Sequence, residues 1–123
     1  MTIKELYEVI GGNYDQAVRV MKSERLIDKY VRKLKNSRLD EMLVEAGLTM
    51  DATRLFESAH AMKGVCSNLG LDALAKAADE ITEEFRPGNA RKLSDDAVRQ
   101  LLQDVTRRYR ETVEGIDRYE TGK

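Results

Sequence analysis

The chain has 123 residues, a formal net charge of −1, and 41% hydrophobic and 35% charged residues. That length suits one domain, 1–123, able to bury a core without help from a metal or a disulfide. The charge balance gives no footing for nucleic acid, and no apolar run is long enough to insert in a membrane or to form a signal-peptide core. A lone cysteine, Cys66, builds no disulfide framework, so a reducing, cytoplasmic setting is expected.

Thr2 with Glu5 three residues later forms a capping box. It starts a short helix whose apolar face is Ile3, Leu6, Tyr7 and Ile10, and Gly11-Gly12 ends that helix. Asn13 caps a second short helix carrying Ala17 and Met21. Ser23 caps a third, with Leu26, Ile27, Tyr30, Val31 and Leu34 at helical spacing. Leu39, Met42, Leu43 and Ala46 continue the pattern, and Gly47 is the expected terminator. Asn36-Ser37 leaves open whether residues 23–46 form one kinked helix or two. The stretch Lys29, Arg32, Lys33, Lys35, Arg38 is basic, which suits a solvated helix face or a patch for an acidic partner.

A long helix is expected from Asp51 to Leu69, burying Leu55, Met62, Val65, Cys66 and Leu69. Gly70 turns the chain. Leu71, Leu74, Ala78, Ile81 and Phe85 then alternate steps of three and four, as a helix requires. Arg86-Pro87-Gly88-Asn89 is the clearest loop. Ser94 caps the last helix, with Asp95 and Asp96 in its first turn and a stripe of Val98, Leu102, Val105, Tyr109, Thr112 and Ile116. No segment alternates in strand fashion. The expected fold is all-α: an antiparallel four-helix bundle with additional short N-terminal helices. The short link at Gly70 makes the helices on either side antiparallel neighbours.

His60 is the only histidine. At about 100° per residue, Lys63, Gly64 and Ser67 share its stripe, and Phe56 and Glu57 lie one turn earlier. The core-facing residues fall on the opposite side, so His60 is expected to face water. A glycine inside a helix costs ~1 kcal/mol relative to alanine, and Gly64 spends that cost one turn beyond the imidazole, where it opens space beside the ring. Ser67 keeps the next turn small. Lys63 brings a flexible positive charge, and imidazole is a competent nucleophile near neutral pH. An exposed nucleophile, an adjacent cation and a cleared surface are what reversible phosphoryl transfer between two proteins needs.

The run Ala59-His60-Ala61-Met62-Lys63-Gly64-Val65-Cys66-Ser67-Asn68-Leu69-Gly70 resembles the signature of histidine-containing phosphotransfer (HPt) domains. The matches are Ala59, His60, Lys63, Gly64, Cys66, Ser67, Leu69 and Gly70. Val65 departs, since many members are small and polar there. The resemblance implies a four-helix bundle that is a phosphocarrier in a two-component phosphorelay and not an enzyme with its own nucleotide site. The histidine, here His60, takes a phosphoryl group from the aspartyl phosphate of one receiver domain and passes it to another. Lys63, Gly64 and Ser67 support it. The implied partners are receiver domains of response regulators or hybrid histidine kinases. No cofactor of its own is implied, and magnesium belongs to the receiver. A monomer fits a carrier that must expose one face.

Blander readings stand beside these. Lys63 alone reads as a solvated lysine, Gly64 as a helix-packing contact and Ser67 as plain surface. Phe56 suits partner docking or contact with the N-terminal helices, and Asn68 lies at the edge of the same face as a second docking candidate. Cys66 reads as a packing residue. One histidine and one cysteine form no recognisable metal set, and no glycine-rich phosphate loop follows a strand. The competing function is a non-catalytic helical adaptor that binds receiver domains or other partners; a shielded His60 would favour it. A self-contained kinase would need an ATP-binding motif.

Overall fold

In the computed structural model, which describes residues 1–122, seven α-helices and no strands are found among the described residues. They are α1 (Ile3–Ile10), α2 (Tyr14–Met21), α3 (Glu24–Ser37), α4 (Leu39–Thr49), α5 (Ala52–Asn68), α6 (Asp72–Phe85) and α7 (Asp95–Thr121). Side-chain caps stand where short polar residues precede an apolar period. Thr2, Asn13, Ser23, Asp51 and Ser94 each accept a backbone N–H of the following turn. The Thr2–Glu5 box is complete, with bonds of 3.0 and 3.1 Å.

Helices α4 to α7 close into a four-helix bundle, in which α5 packs on α4 and α6, and α7 on α4 and α6. The expected stripes of α6 and α7 are buried throughout, from Leu71 to Phe85 and from Val98 to Ile116. At 27 residues, α7 also receives α1 and α3 along its length. Helix α3 packs against α7 and α2 and buries only the narrow stripe Ile27, Val31 and Leu34. Leu26 and Tyr30, expected on that face, are exposed, with Lys29 and Lys33 over the Tyr30 ring at 5.7 and 5.9 Å. Part of the basic stretch meets the chain's own acidic residues. Arg32 pairs with Asp28 and Glu120, and Lys35 with Asp117 and Glu120.

Residues 23–46 belong to two helices. Arg38 takes a left-handed conformation (φ 53°) between them. The break is held by Tyr109 of α7, whose hydroxyl donates to Leu34 O at 2.6 Å and accepts from Leu39 N–H at 3.4 Å. Both freed helix ends thus find one buried partner. The expectation that Gly47 ends α4 is corrected: α4 runs to Thr49, and Met50 (φ 52°) is the left-handed cap. Gly47 is there because α7 comes close, a Cβ at that position lying 2.7 Å from Leu102 Cδ1. Met42, counted in the apolar pattern of α4, is exposed.

The α5–α6 hairpin is pinned at its turn. Gly70 adopts φ +68°, which glycine adopts without steric cost. Its carbonyl accepts from Asn13 N–H at 2.7 Å, and Tyr7 Oη donates to Leu69 O at 2.6 Å. The α1–α2 region thus clamps the turn and sets the register of the two helices beside it. That register decides which residues of the α6 side meet Lys63 and Phe56.

Candidate functional site

Helix α5 buries Leu55, Ser58, Ala59, Met62 and Cys66. The opposite side, with His60, Ala61, Gly64, Ser67 and Asn68, is exposed. One expectation for this helix is overturned. Val65, placed with the core residues, is 38% exposed. It lies about 60° round the helix from Met62, at the edge of the buried arc. Cys66 is buried, and burial pushes its thiol up to about 12, so it is a packing residue without thiolate chemistry.

The imidazole of His60 has a built seat. Phe56, one turn earlier, lies nearly parallel to it, with ring centroids 5.5 Å apart and planes 9° apart. Phe56 is half-buried and packs against the core. Its outer contacts are His60 and the Arg86 guanidinium, 5.4 Å from the ring centroid, at the end of α6. The exposed imidazole therefore leans on an anchored ring.

Gly64 faces open space: a Cβ built there meets nothing within 4 Å. The other helical glycines differ, Gly47 meeting Leu102 and Gly115 of α7 meeting Ile10. Close packing accounts for those two and not for Gly64. Ser67 and Asn68 occupy the last turn of α5, roughly 10 Å further along the helix than His60. The backbone carbonyl of Ser67 accepts from Gly70 N–H at 3.1 Å. They extend the open strip without touching the imidazole seat.

Lys63 is engaged. Its Nζ stands 2.8 Å from Asp79 Oδ1 of α6. One turn on, Arg86 grips Glu83 with two bonds, Nε to Oε2 at 3.0 Å and Nη2 to Oε1 at 2.9 Å. Arg86 holds the Glu83 carboxyl below its ordinary range, with a smaller contribution from Lys63. Sequence reading passed over Asp79, Glu83 and Arg86. A signal existed in the hairpin. Lys63 and Asp79 are equally far from Leu71 along the chain, and so are Phe56 and Arg86, as expected of residues facing each other across two antiparallel helices.

A concavity of about 1010 Å³ lies elsewhere, between α6, the following loop and α7, with Glu84, Leu93 and Leu101 among its lining residues. His60 does not line it. Among the described residues no group of three or more His, Cys, Asp or Glu could hold a metal ion, and no helix is long and apolar enough to cross a membrane.

The family model described as Hpt domain matches residues 23–112, from the cap of α3 into α7, well over half of the chain. No curated protein and no solved structure gives a significant match. The chain therefore belongs to the Hpt domain family, whose role is phosphotransfer in two-component signalling.

Proposed function

We propose that His60 is the phosphoacceptor, receiving a phosphoryl group from a receiver-domain aspartyl phosphate and passing it to a second receiver. The observation that carries this reading is an exposed imidazole, stacked on Phe56 and flanked by the open strip at Gly64, on the outer side of a well-packed helix. In the forward step the lone pair of one imidazole nitrogen forms the N–P bond. The P–O bond to the partner's aspartate breaks, and its electron pair returns to that carboxylate. Onward transfer is the same exchange with a second aspartate as nucleophile. Both directions require a partner to approach in line, and a surface without a Cβ beside the ring permits that. Lys63 supplies charge support, and Ser67 keeps the approach low. Phe56 fixes the ring, and Asn68 lies at the margin where a receiver docks. Magnesium enters with the receiver, and the carrier needs no nucleotide site.

Exposure of His60 favours this reading over the adaptor, which has no use for an uncovered imidazole on a prepared seat. The test is incubation with phosphorylated receiver domains and assay for acid-labile phosphate. His60→Ala should lose the label and keep its helical signal, because the side chain is outside the core. Equal label on the folded variant would overturn the assignment.

A further inference from the structure

Asp79 is the residue this site contains that phosphocarrier chemistry does not obviously require. Its Oδ1 is buried and receives no hydrogen bond of ordinary geometry among the described residues, so the Lys63 ammonium at 2.8 Å is what compensates it. The two side chains are 35% and 39% exposed, so the pair is partly shielded from water. Glu83, one turn further along α6, is held bidentately by Arg86 and feels Lys63 only through space, as Asp79 feels Arg86, so Asp79 is the carboxylate that Lys63 contacts directly. Lys63 is also one turn from His60. A phosphoryl group on that imidazole would be a second anion within reach of the same flexible ammonium.

We propose that Asp79 is a positioning residue that parks Lys63 before phosphorylation and competes with the phosphoryl group for it afterwards. This rests on the reading of His60 as phosphoacceptor. The consequence concerns how readily the group is given up. A cation bound wholly to the phosphoryl group would stabilise the loaded form and hold it back from donation. A carboxylate that draws the cation away keeps the loaded form less stable and the group easier to pass on.

Small-molecule phosphoramidate tests this without any receiver. Its N–P bond breaks, ammonia leaves and a new N–P bond forms on the imidazole. The donor is then removed, and hydrolysis of phosphohistidine to inorganic phosphate is followed by phosphorus NMR in the parent, Asp79→Asn, Lys63→Ala and the double variant. Asp79→Asn should lengthen the lifetime about two- to five-fold, the size expected of a partly exposed charge contact. In the Lys63→Ala background the same substitution should have much less effect, and Asp79→Glu should keep the parent lifetime. An equal fold-change in both backgrounds would mean that Asp79 acts by its own charge and not through Lys63, and would overturn the proposal. So would an unchanged lifetime in Asp79→Asn. If phosphoramidate loads His60 but receivers do not, the relay reading fails while the lifetimes still decide the role of Asp79. A chain that phosphoramidate cannot load at His60 overturns both.

Discussion

Replacing Gly64 separates access from folding. With no atom within 4 Å of a Cβ at this site, alanine would enter open water and meet no obstacle. The gain is the ordinary glycine penalty of an exposed helix interior, ~1 kcal/mol. With an unfolding entropy of roughly 2.1 cal/mol/K per residue, that raises the melting temperature of a chain of this length by about 4 °C. Gly115→Ala is the internal control. Its Cβ would lie 2.5 Å from Ile10 Cγ2, so overpacking of roughly 1–3 kcal/mol meets the same gain, and the variant should be at best neutral. Gly64→Gln should melt at or above the parent, since glutamine is the better helix former. Its side chain would project beside the imidazole, and phosphoryl transfer from a receiver should fall by about ten-fold or more, equivalent to a barrier ~1.4 kcal/mol higher. The assay pairs a thermal or denaturant melt with a transfer time course on one preparation. A Gly64→Gln protein that unfolds easily would show that the glycine serves packing. One that is stable and transfers at the parent rate would refute the clearance argument.

Other outcomes follow from the same geometry. Lys63→Ala should slow transfer or shorten the phosphohistidine lifetime, up to about five-fold for a contact this exposed, without abolishing acceptance; unchanged kinetics would return Lys63 to a purely structural pairing with Asp79. Glu84 ties down the loop before α7, accepting from Lys92 and Leu93 N–H and pairing with Arg91. Burial raises its carboxyl, but the two backbone donors and Arg91 outweigh that and leave it below the ordinary value. Its contribution to stability is therefore full above the unfolded carboxylate value of about 4.3 and is lost as pH falls through the lower folded value. Glu84→Gln should be less stable at neutral pH and flatten the acid end of the stability profile, measured by melts across that range. An identical acid limb in both proteins would count against the role given to Glu84.

Much of this fold is local in origin, and local signals are visible in a sequence. Four caps, at Thr2, Asn13, Ser23 and Ser94, were legible because a side chain and a backbone N–H three residues apart decide them; Asp51, read only as the start of its helix, is the fifth. The stripes of α6 and α7 were legible because each of those helices buries one regular face. The exposure of His60 followed from its position opposite Met62 and Cys66 on α5. Leu26, Tyr30, Met42 and Val65 show where the reasoning stops. Periodicity says that a residue could be covered, but a neighbouring helix has to be there to cover it, and on α3 only Ile27, Val31 and Leu34 are buried.

The sequence by itself determined the helical class, most helix starts, the turn at Gly70 and the grouping of His60, Lys63, Gly64 and Ser67 on one stripe, because contacts within one helix repeat every three or four residues. Tertiary structure decided everything that depends on a second helix. It made Gly47 a packing residue and left Gly64 open, although both are glycines within helices. It broke residues 23–46 at Arg38, where Tyr109 reaches both ends. It also brought Asp79 to Lys63 and Arg86 to Phe56. The physical reason is that the register of one helix against another is set by the whole packed core and by the clamp on the Gly70 turn, and no short window of sequence contains either.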